Sequence, residues 1–363
     1  MIARFNQGGT AGWLSVLIEG QRLEGSDVTL LSGSVQANEK EDFRFSELGG
    51  LRIQGLGRSI SPIQDIRVIW ALRKILIEIE PDIINTHTAK AGLIGRLAAK
   101  SISHRKIAIV HTFHGHILYG YFGRFRTRFF VQLERILSKL TDIILVSGLR
   151  VKNELLGKRI GSEAQYIVVR PGVPPITILS RMSVRQKFSI SDDQVVVGWL
   201  GRLTEIKRPD RVLELAEQLP NYFFLMGGDG ELLESLKKDA PENVILTGWT
   251  TPTEIWSASD IALLTSVNEA QPISLIEAAL AGLPLIGENV GSVSEVIQNT
   301  INGFLTHDLN SRVTAIEKLA TSPELRQQMG EAARMTAVEL FGVGQFLKAH
   351  SQAYEKAIEV HSR

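Results

Sequence analysis

Short apolar runs of strand length alternate along the whole chain with longer segments whose apolar positions recur at helical spacing. That rhythm predicts an α/β protein built on parallel sheets. In the first half it places strands at Ile2–Phe5, Val28–Leu31, Leu51–Ile53, Asp82–Asn85, Ile107–Thr112 and Ile143–Val146, with helices opening near Ala11 and Ala89 and a third over Phe122–Leu140. The second half restarts the pattern, with strands at Val195–Leu200, Tyr222–Met226, Val244–Leu246, Ile261–Leu264 and Pro284–Ile286 and a helix over Pro272–Ala281. Two doubly wound units in succession account for both halves. Pro171-Gly172-Val173-Pro174-Pro175 breaks regular structure and marks the boundary, giving units of 1–175 and 176–344. The remaining 345–363, helical over Gln345–Val360, reads as a strap that packs on either unit or back across a cleft between them.

Length agrees with this division, because 363 residues exceed what one ordinary hydrophobic core organises. The absence of cysteine excludes disulfide frameworks, thiolate metal sites and thiol nucleophiles. No run of apolar residues is long enough to cross a bilayer, and Met1–Gly9 lacks the apolar stretch of a secretion signal, so a cytoplasmic location is expected. The net charge of +1 hides an imbalance. Residues 1–180 carry about 24 Lys and Arg against 15 Asp and Glu, and the remainder about 16 against 24. A basic half suits phosphates, an anionic membrane or RNA, or is simply solvated surface charge.

The richest chemistry lies in Asn268-Glu269-Ala270-Gln271-Pro272-Ile273-Ser274, which runs into a helix carrying Glu277. Pro272 suits the first turn, and Gly282 suits the left-handed residue past the end. The start of such a helix offers unpaired N–H groups and a partial positive charge to a phosphate. Glu269 before it and Glu277 within it would accept hydrogen bonds from sugar hydroxyls on either side. Upstream, Gly201 ends a strand where backbone can approach a ligand, and Arg202 and Lys207 can neutralise a diphosphate. Gly227-Gly228-Asp229-Gly230 reads as a tight turn, and Ser292 through Glu295 as a capping box.

In the basic half, Gly8-Gly9 stands between a strand and a helix, again where a phosphate can approach. His87, His111, His114 and His116 gather at or just past the ends of two neighbouring strands, the ligand edge of an open α/β sheet. Their spacing also admits zinc, but no Asp-x-Asp pair accompanies them, and Arg202 with Lys207 already supplies positive charge. Tyr119 through Phe130 interleaves aromatic and basic residues, Arg124 among them, which suits an anionic membrane interface, a phosphate-bearing acceptor, or equally a helix with one core face and one solvated basic face.

Taken together, Gly8-Gly9, His111-Thr112-Phe113-His114-Gly115-His116, Gly201-Arg202 with Lys207, and Asn268-Glu269 through Glu277-Ala278 resemble the retaining glycosyltransferases of family 4, which have the GT-B architecture. Thr86-His87-Thr88-Ala89-Lys90-Ala91-Gly92 is similar to members that build bacterial cell-surface glycans. The resemblance implies transfer of a sugar from a nucleotide diphosphate donor to a glycan or lipid-linked acceptor, with retained anomeric configuration, no metal, no cofactor and no nucleic acid partner. It implies that Arg202 and Lys207 hold the diphosphate, Glu277 the ribose and Glu269 the donor sugar. His114 would face that sugar across the cleft and Gly9 would line the phosphate, with Gly201, Ala270, Gln271, Pro272, Ile273 and Ser274 completing the donor pocket. His87, Lys90, His116 and Arg124 fall on the acceptor side. The usual mechanism of the family is a front-face substitution in which the leaving phosphate oxygen takes the acceptor's proton. The chain departs from the pattern at Ala270 and Gln271, where glycine is frequent after the first glutamate, and at Glu288, where a small residue or Thr is frequent. A nucleotide-sugar 2-epimerase and an inactive nucleotide-sugar-binding scaffold are the alternatives. A dinucleotide-dependent dehydrogenase is disfavoured by the lack of Gly-x-Gly-x-x-Gly after the first strand.

Overall fold

The structure is a computed structural model that describes residues 1–37, 39–57, 61–102, 106–115 and 124–362, without the side chains of 124 and 126. It divides into two compact units, one of Met1–Gly172 with Val343–Arg363, the other of Val173–Gly342.

Unit 1 contains β1 (Leu31–Ser32), β2 (Leu51–Arg52), β3 (Ile83–His87), β4 (Ala108–Phe113), β5 (Ile143–Val146) and β6 (Tyr166–Val168). Its helices are α1 (Gly9–Leu23), α2 (Arg44–Glu47), α3 (Pro62–Ile79), α4 (Ala89–Lys100), α5 (Arg124–Ser138) and α6 (Leu149–Gly157). Strands β3 to β6 pair in parallel in chain order, and β1 pairs in parallel with β2. The two pieces meet at Ile2, which bridges both Ser32 and His87. The expected strand Ile2–Phe5 is therefore reduced to a single bridging residue, and the chain turns away towards Gly8 and α1.

Register explains how the helices are shared out. Val110 lies opposite Ile143 and His111 opposite Ile144, so alternate residues point to opposite faces. Ala108, Val110, Ile143 and Leu145 bury themselves with Trp13 and Leu17 of α1. Ile84 and Ile109 pack with Val68 and Leu72 of α3 and Ile94 of α4, while Ile144 and Val146 pack with Val131 of α5. Helices α3, α4 and α5 thus cover one face side by side. Two buried ion pairs tie them: Lys90 to Asp65 at 2.8 Å and Arg96 to Glu134 at 2.8 Å.

Unit 2 contains β7 (Val196–Leu200), β8 (Phe223–Gly227), β9 (Val244–Gly248), β10 (Ile261–Leu264), β11 (Leu285–Glu288) and β12 (Gly303–Thr306). Around them lie α7 (Arg181–Lys187), α8 (Asp210–Gln218), α9 (Leu233–Asp239), α10 (Pro252–Ala258), α11 (Ile273–Leu280), α12 (Leu309–Ala320) and α13 (Pro323–Phe341). The strands run parallel in the order β12-β11-β10-β7-β8-β9. The chain then returns to unit 1 as α14 (Val343–Ser362), whose Phe346, Ala353 and Ala357 are buried with Trp13 and Val110. Tyr354 accepts a hydrogen bond from Asn85 Nδ2 at 2.8 Å.

Two strands, β6 and β12, were not expected; each is short and each lies at an edge of its sheet. Pro272 sits at the N-cap of α11, one position earlier than expected, and Gly282 has the expected positive φ of 81°. The expected capping box at Ser292 does not form, since its side chain makes no cap bond to the short 3-10 turn Val293–Glu295.

Candidate active site

In unit 2 the strand order reverses between β7 and β10, because β7 leads on to β8 and β10 leads on to β11. Ligands of open α/β sheets bind beyond the carboxyl ends of strands at such a switch point. The two segments leaving β7 and β10 here are Gly201–Lys207 and Thr265–Pro272, and hydrogen bonds stitch them together. Val267 N donates to Ile206 O at 3.0 Å. The buried Thr265 hydroxyl accepts from Trp199 Nε1 at 3.0 Å and donates to Lys207 O at 2.9 Å. This places Lys207 Nζ 2.5 Å from Glu269 Oε1, which also accepts from Ser266 Oγ at 2.6 Å. Glu269 is buried, yet its Oε2 takes no hydrogen bond among the described residues.

Backbone contacts hold these segments in place. Gly291, with φ 53°, lies against Glu269 so closely that a Cβ there would sit 1.7 Å from Glu269 O, and Ser292 N donates to that oxygen at 2.9 Å. The Ser292 amide thus braces Glu269, in place of the expected cap. Gly201 N donates to Gly227 O at 3.0 Å and Leu203 N to Asp229 O at 3.0 Å. A Cβ on Gly228, at φ 139°, would lie 1.9 Å from Gly201 O, so the glycine turn after β8 is the support on which the Gly201 segment rests.

Arg202 is exposed, with no ion pair among the described residues. Pro272 is buried and Ala270, Gln271, Ile273 and Ser274 are half-buried at the start of α11. Glu277, one turn further along, is half-buried, and its carboxyl is pushed up to about 7 by desolvation, against a smaller downward pull from the Trp256 side chain. Glu288, where the sequence departs from the family pattern, is committed to ion pairs with Arg211 and with Arg312, the latter at 3.5 Å. Arg211 also donates to Thr265 O at 3.2 Å.

In unit 1, Gly8 caps α1 at φ 144°, with Gly9 as its first residue. His87 Nδ1 and His114 Nε2 lie 2.9 Å apart, and the two rings stack. His114 meets the edge of Trp13, which also contacts His350 of α14. His111, expected at the strand's end, is inside β4 and bonds Thr86 Oγ1 at 2.8 Å. Burial pushes His114 down to about 3, with a further push from His350, and lowers His87 and His111 well below the usual imidazole range. At neutral pH these rings are uncharged, so in the His87–His114 bond one nitrogen donates and the other accepts. Lys90 is held by Asp65. His116 and the whole of Tyr119–Gly123 lie outside the described residues, as does the side chain of Arg124. Among the described residues no group of three His, Asp or Glu is gathered as metal ligands would be.

Two doubly wound α/β units, with a Lys–Glu pair and a helix start at the switch point of the second, match the GT-B architecture. Solved structures share the fold: HepE of Anabaena in complex with UDP and glucose, at TM-score 0.81 and 17% identity over 97% of both chains, and a glycosyltransferase of Rickettsia africae, at 0.81 and 19% over 99% of this chain and 97% of that one. Residues 7–175 match the family model described as Glycosyltransferase Family 4, and 180–336 match Glycosyl transferases group 1. The O-antigen biosynthesis glycosyltransferase WbnH of Escherichia coli is 30% identical over 67% of this chain and 68% of its own. A second Escherichia coli relative, the UDP-Gal:alpha-D-GlcNAc-diphosphoundecaprenol alpha-1,3-galactosyltransferase, is 27% identical over 83% of this chain and 82% of its own. The chain belongs to glycosyltransferase family 4.

Proposed function

We propose that this glycosyltransferase moves a sugar from a nucleotide diphosphate donor, with retained configuration and without a metal, to a lipid-linked precursor of a cell-surface glycan, working as a cytoplasmic protein at the inner face of the membrane. The observation that carries the reading is the Lys207–Glu269 pair at 2.5 Å beside the start of α11. A donor diphosphate laid on that helix start draws Lys207 and the exposed Arg202 to its oxygens. Glu269, with Oε2 open, accepts from a sugar hydroxyl, and Glu277 accepts from the ribose. As the glycosyl–oxygen bond breaks, negative charge grows on the departing diphosphate, and fixed cations lower the energy of that state most. The leaving oxygen takes the acceptor's proton, so no side chain has to act as base. The family resemblance assigns Gly9 and His114 to the donor and His87, Lys90, His116 and Arg124 to the acceptor.

The lipid-linked acceptor is favoured by the relative whose name specifies a diphosphoundecaprenol substrate. The test is a panel of nucleotide sugars ranked by the rise in melting temperature, since a ligand of the folded state raises stability with the logarithm of its saturation. The best donor is then assayed with lipid-linked acceptors and the anomeric configuration of the product read by NMR. We expect Lys207→Ala to reduce kcat about 100-fold or more, and Glu277→Ala to weaken donor binding. Wild-type kinetics in both variants, or an isomerised sugar formed without acceptor, overturns the assignment.

A further inference from the structure

The outer face of the α3–α4–α5 layer in unit 1 carries more apolar surface than its place in the fold requires. Ile63, Ile66 and Trp70 follow one another at helical spacing on α3 and stand 72%, 57% and 60% exposed. Leu97 is exposed on α4, and Phe125 and Phe129 project from α5, the latter 63% exposed. None of these serves the core, which is filled from the opposite sides of the same helices by Val68, Leu72, Ile94 and Val131. Scattered apolar residues on a surface are ordinary, but a stripe repeated on neighbouring helices marks a contact surface.

Charge identifies what it contacts. Within the three helices the carboxylates of Asp65 and Glu134 are already taken by Lys90 and Arg96, which leaves Glu78 alone against the exposed Arg67, Lys74, Lys100 and Arg128. Aromatic and aliphatic side chains set among cations that have no ion pair among the described residues, on helices that lie flat on a sheet, match the demands of an anionic lipid surface: rings and branched chains enter the headgroup boundary while Lys and Arg meet phosphates. The guanidinium of Arg73 above the Trp70 ring, at 5.8 Å, adds a cation to the same strip.

We propose that this three-helix face of unit 1 docks on an anionic membrane, with Trp70 and Phe129 as its apolar anchors. The proposal deepens the reading above, in which the acceptor is lipid-linked, by naming the surface that meets the bilayer. The experiment is flotation of the full-length protein with vesicles of phosphatidylglycerol in phosphatidylcholine, and with phosphatidylcholine alone, with UDP binding measured on the same samples. The wild type should float with the anionic vesicles and not with the neutral ones, and binding should weaken as salt rises. Trp70→Ser/Phe129→Ser should lower partitioning at least about tenfold, and Arg67→Gln/Lys74→Gln by roughly fivefold for each charge, both with UDP binding unchanged. A double variant that loses the cooperative unfolding transition of unit 1 in calorimetry has misfolded, and the other one decides. Wild-type protein that binds UDP but ignores anionic vesicles overturns the docking face and leaves the donor site standing. Flotation without binding of any nucleotide diphosphate does the reverse. Variants that float like the wild type, or a wild-type dimer in sedimentation that the apolar variant abolishes, also overturn it, the last by assigning the face to a second copy.

Discussion

Glu277 is the residue whose environment makes the sharpest statement about the ligand. Its carboxyl titrates near 7 in the folded protein because burial disfavours the charged form. The folded state therefore holds a proton that the unfolded state has released across the window from the ordinary glutamate value to about 7, and stability contributed by this residue falls as pH rises through it. Hydroxyl groups that donate to the carboxylate reverse that preference, so binding a nucleotide diphosphate near pH 7 should release protons. Calorimetry in buffers of different ionisation enthalpy would show a buffer-dependent heat for the wild type and none for Glu277→Gln. A buffer-independent heat in the wild type removes Glu277 from the ribose. Glu269 and Lys207 stand out in the sequence by position, the one just ahead of a helix opened by Pro272 and stopped by Gly282, the other at a strand-to-helix turn, and not by spacing alone. Thr265 and Ser266 do not, because one hydroxyl at the end of an apolar run carries no signal until Trp199 and Lys207 are seen on either side of it. Glu288, conspicuous in the sequence, is spent on Arg211 and Arg312.

Between elements, Thr265 is the clasp that joins the segment after β7 to the segment after β10. Replacing it with Val keeps the shape and removes both the acceptor for Trp199 and the donor to Lys207 O, stranding two buried polar groups at about 1–3 kcal/mol. We expect Thr265→Val to lower kcat more than it raises the KM for donor, because Lys207 is displaced where charge develops, and Thr265→Ser to restore most of the rate. Equal kinetics in all three proteins shows that Lys207 is positioned without the clasp. The sheets themselves were largely legible: Ile261–Leu264 is an uninterrupted apolar run and appears as β10 with the expected bounds. Strands β6 and β12 escaped notice because each is short and only partly buried. The Ser292 turn departs from its Ser-x-x-Glu pattern because that pattern is local, whereas the Ser292 amide is committed to Glu269 O, 23 residues back along the chain.

At the scale of the whole molecule, unit 1 is made from both ends of the sequence. The helical period of the tail predicted a strap, and the structure gives that strap to unit 1, where Phe346 and Ala353 cover Trp13, Val110 and Leu145. Ending the chain at Gly342 should uncover that face and cost unit 1 its cooperative unfolding transition, read by calorimetry, while UDP still stabilises unit 2. A truncated protein that melts like the full-length one shows that α14 is dispensable to the core. A ribosome makes α14 only after the whole of unit 2. Unit 2 is then complete in sequence before unit 1 is, and the wall around Trp13 and His114 stays open until α14 has left the exit tunnel. Each new molecule must therefore keep one portion waiting, unfinished, while an entire neighbour is made before its missing piece arrives.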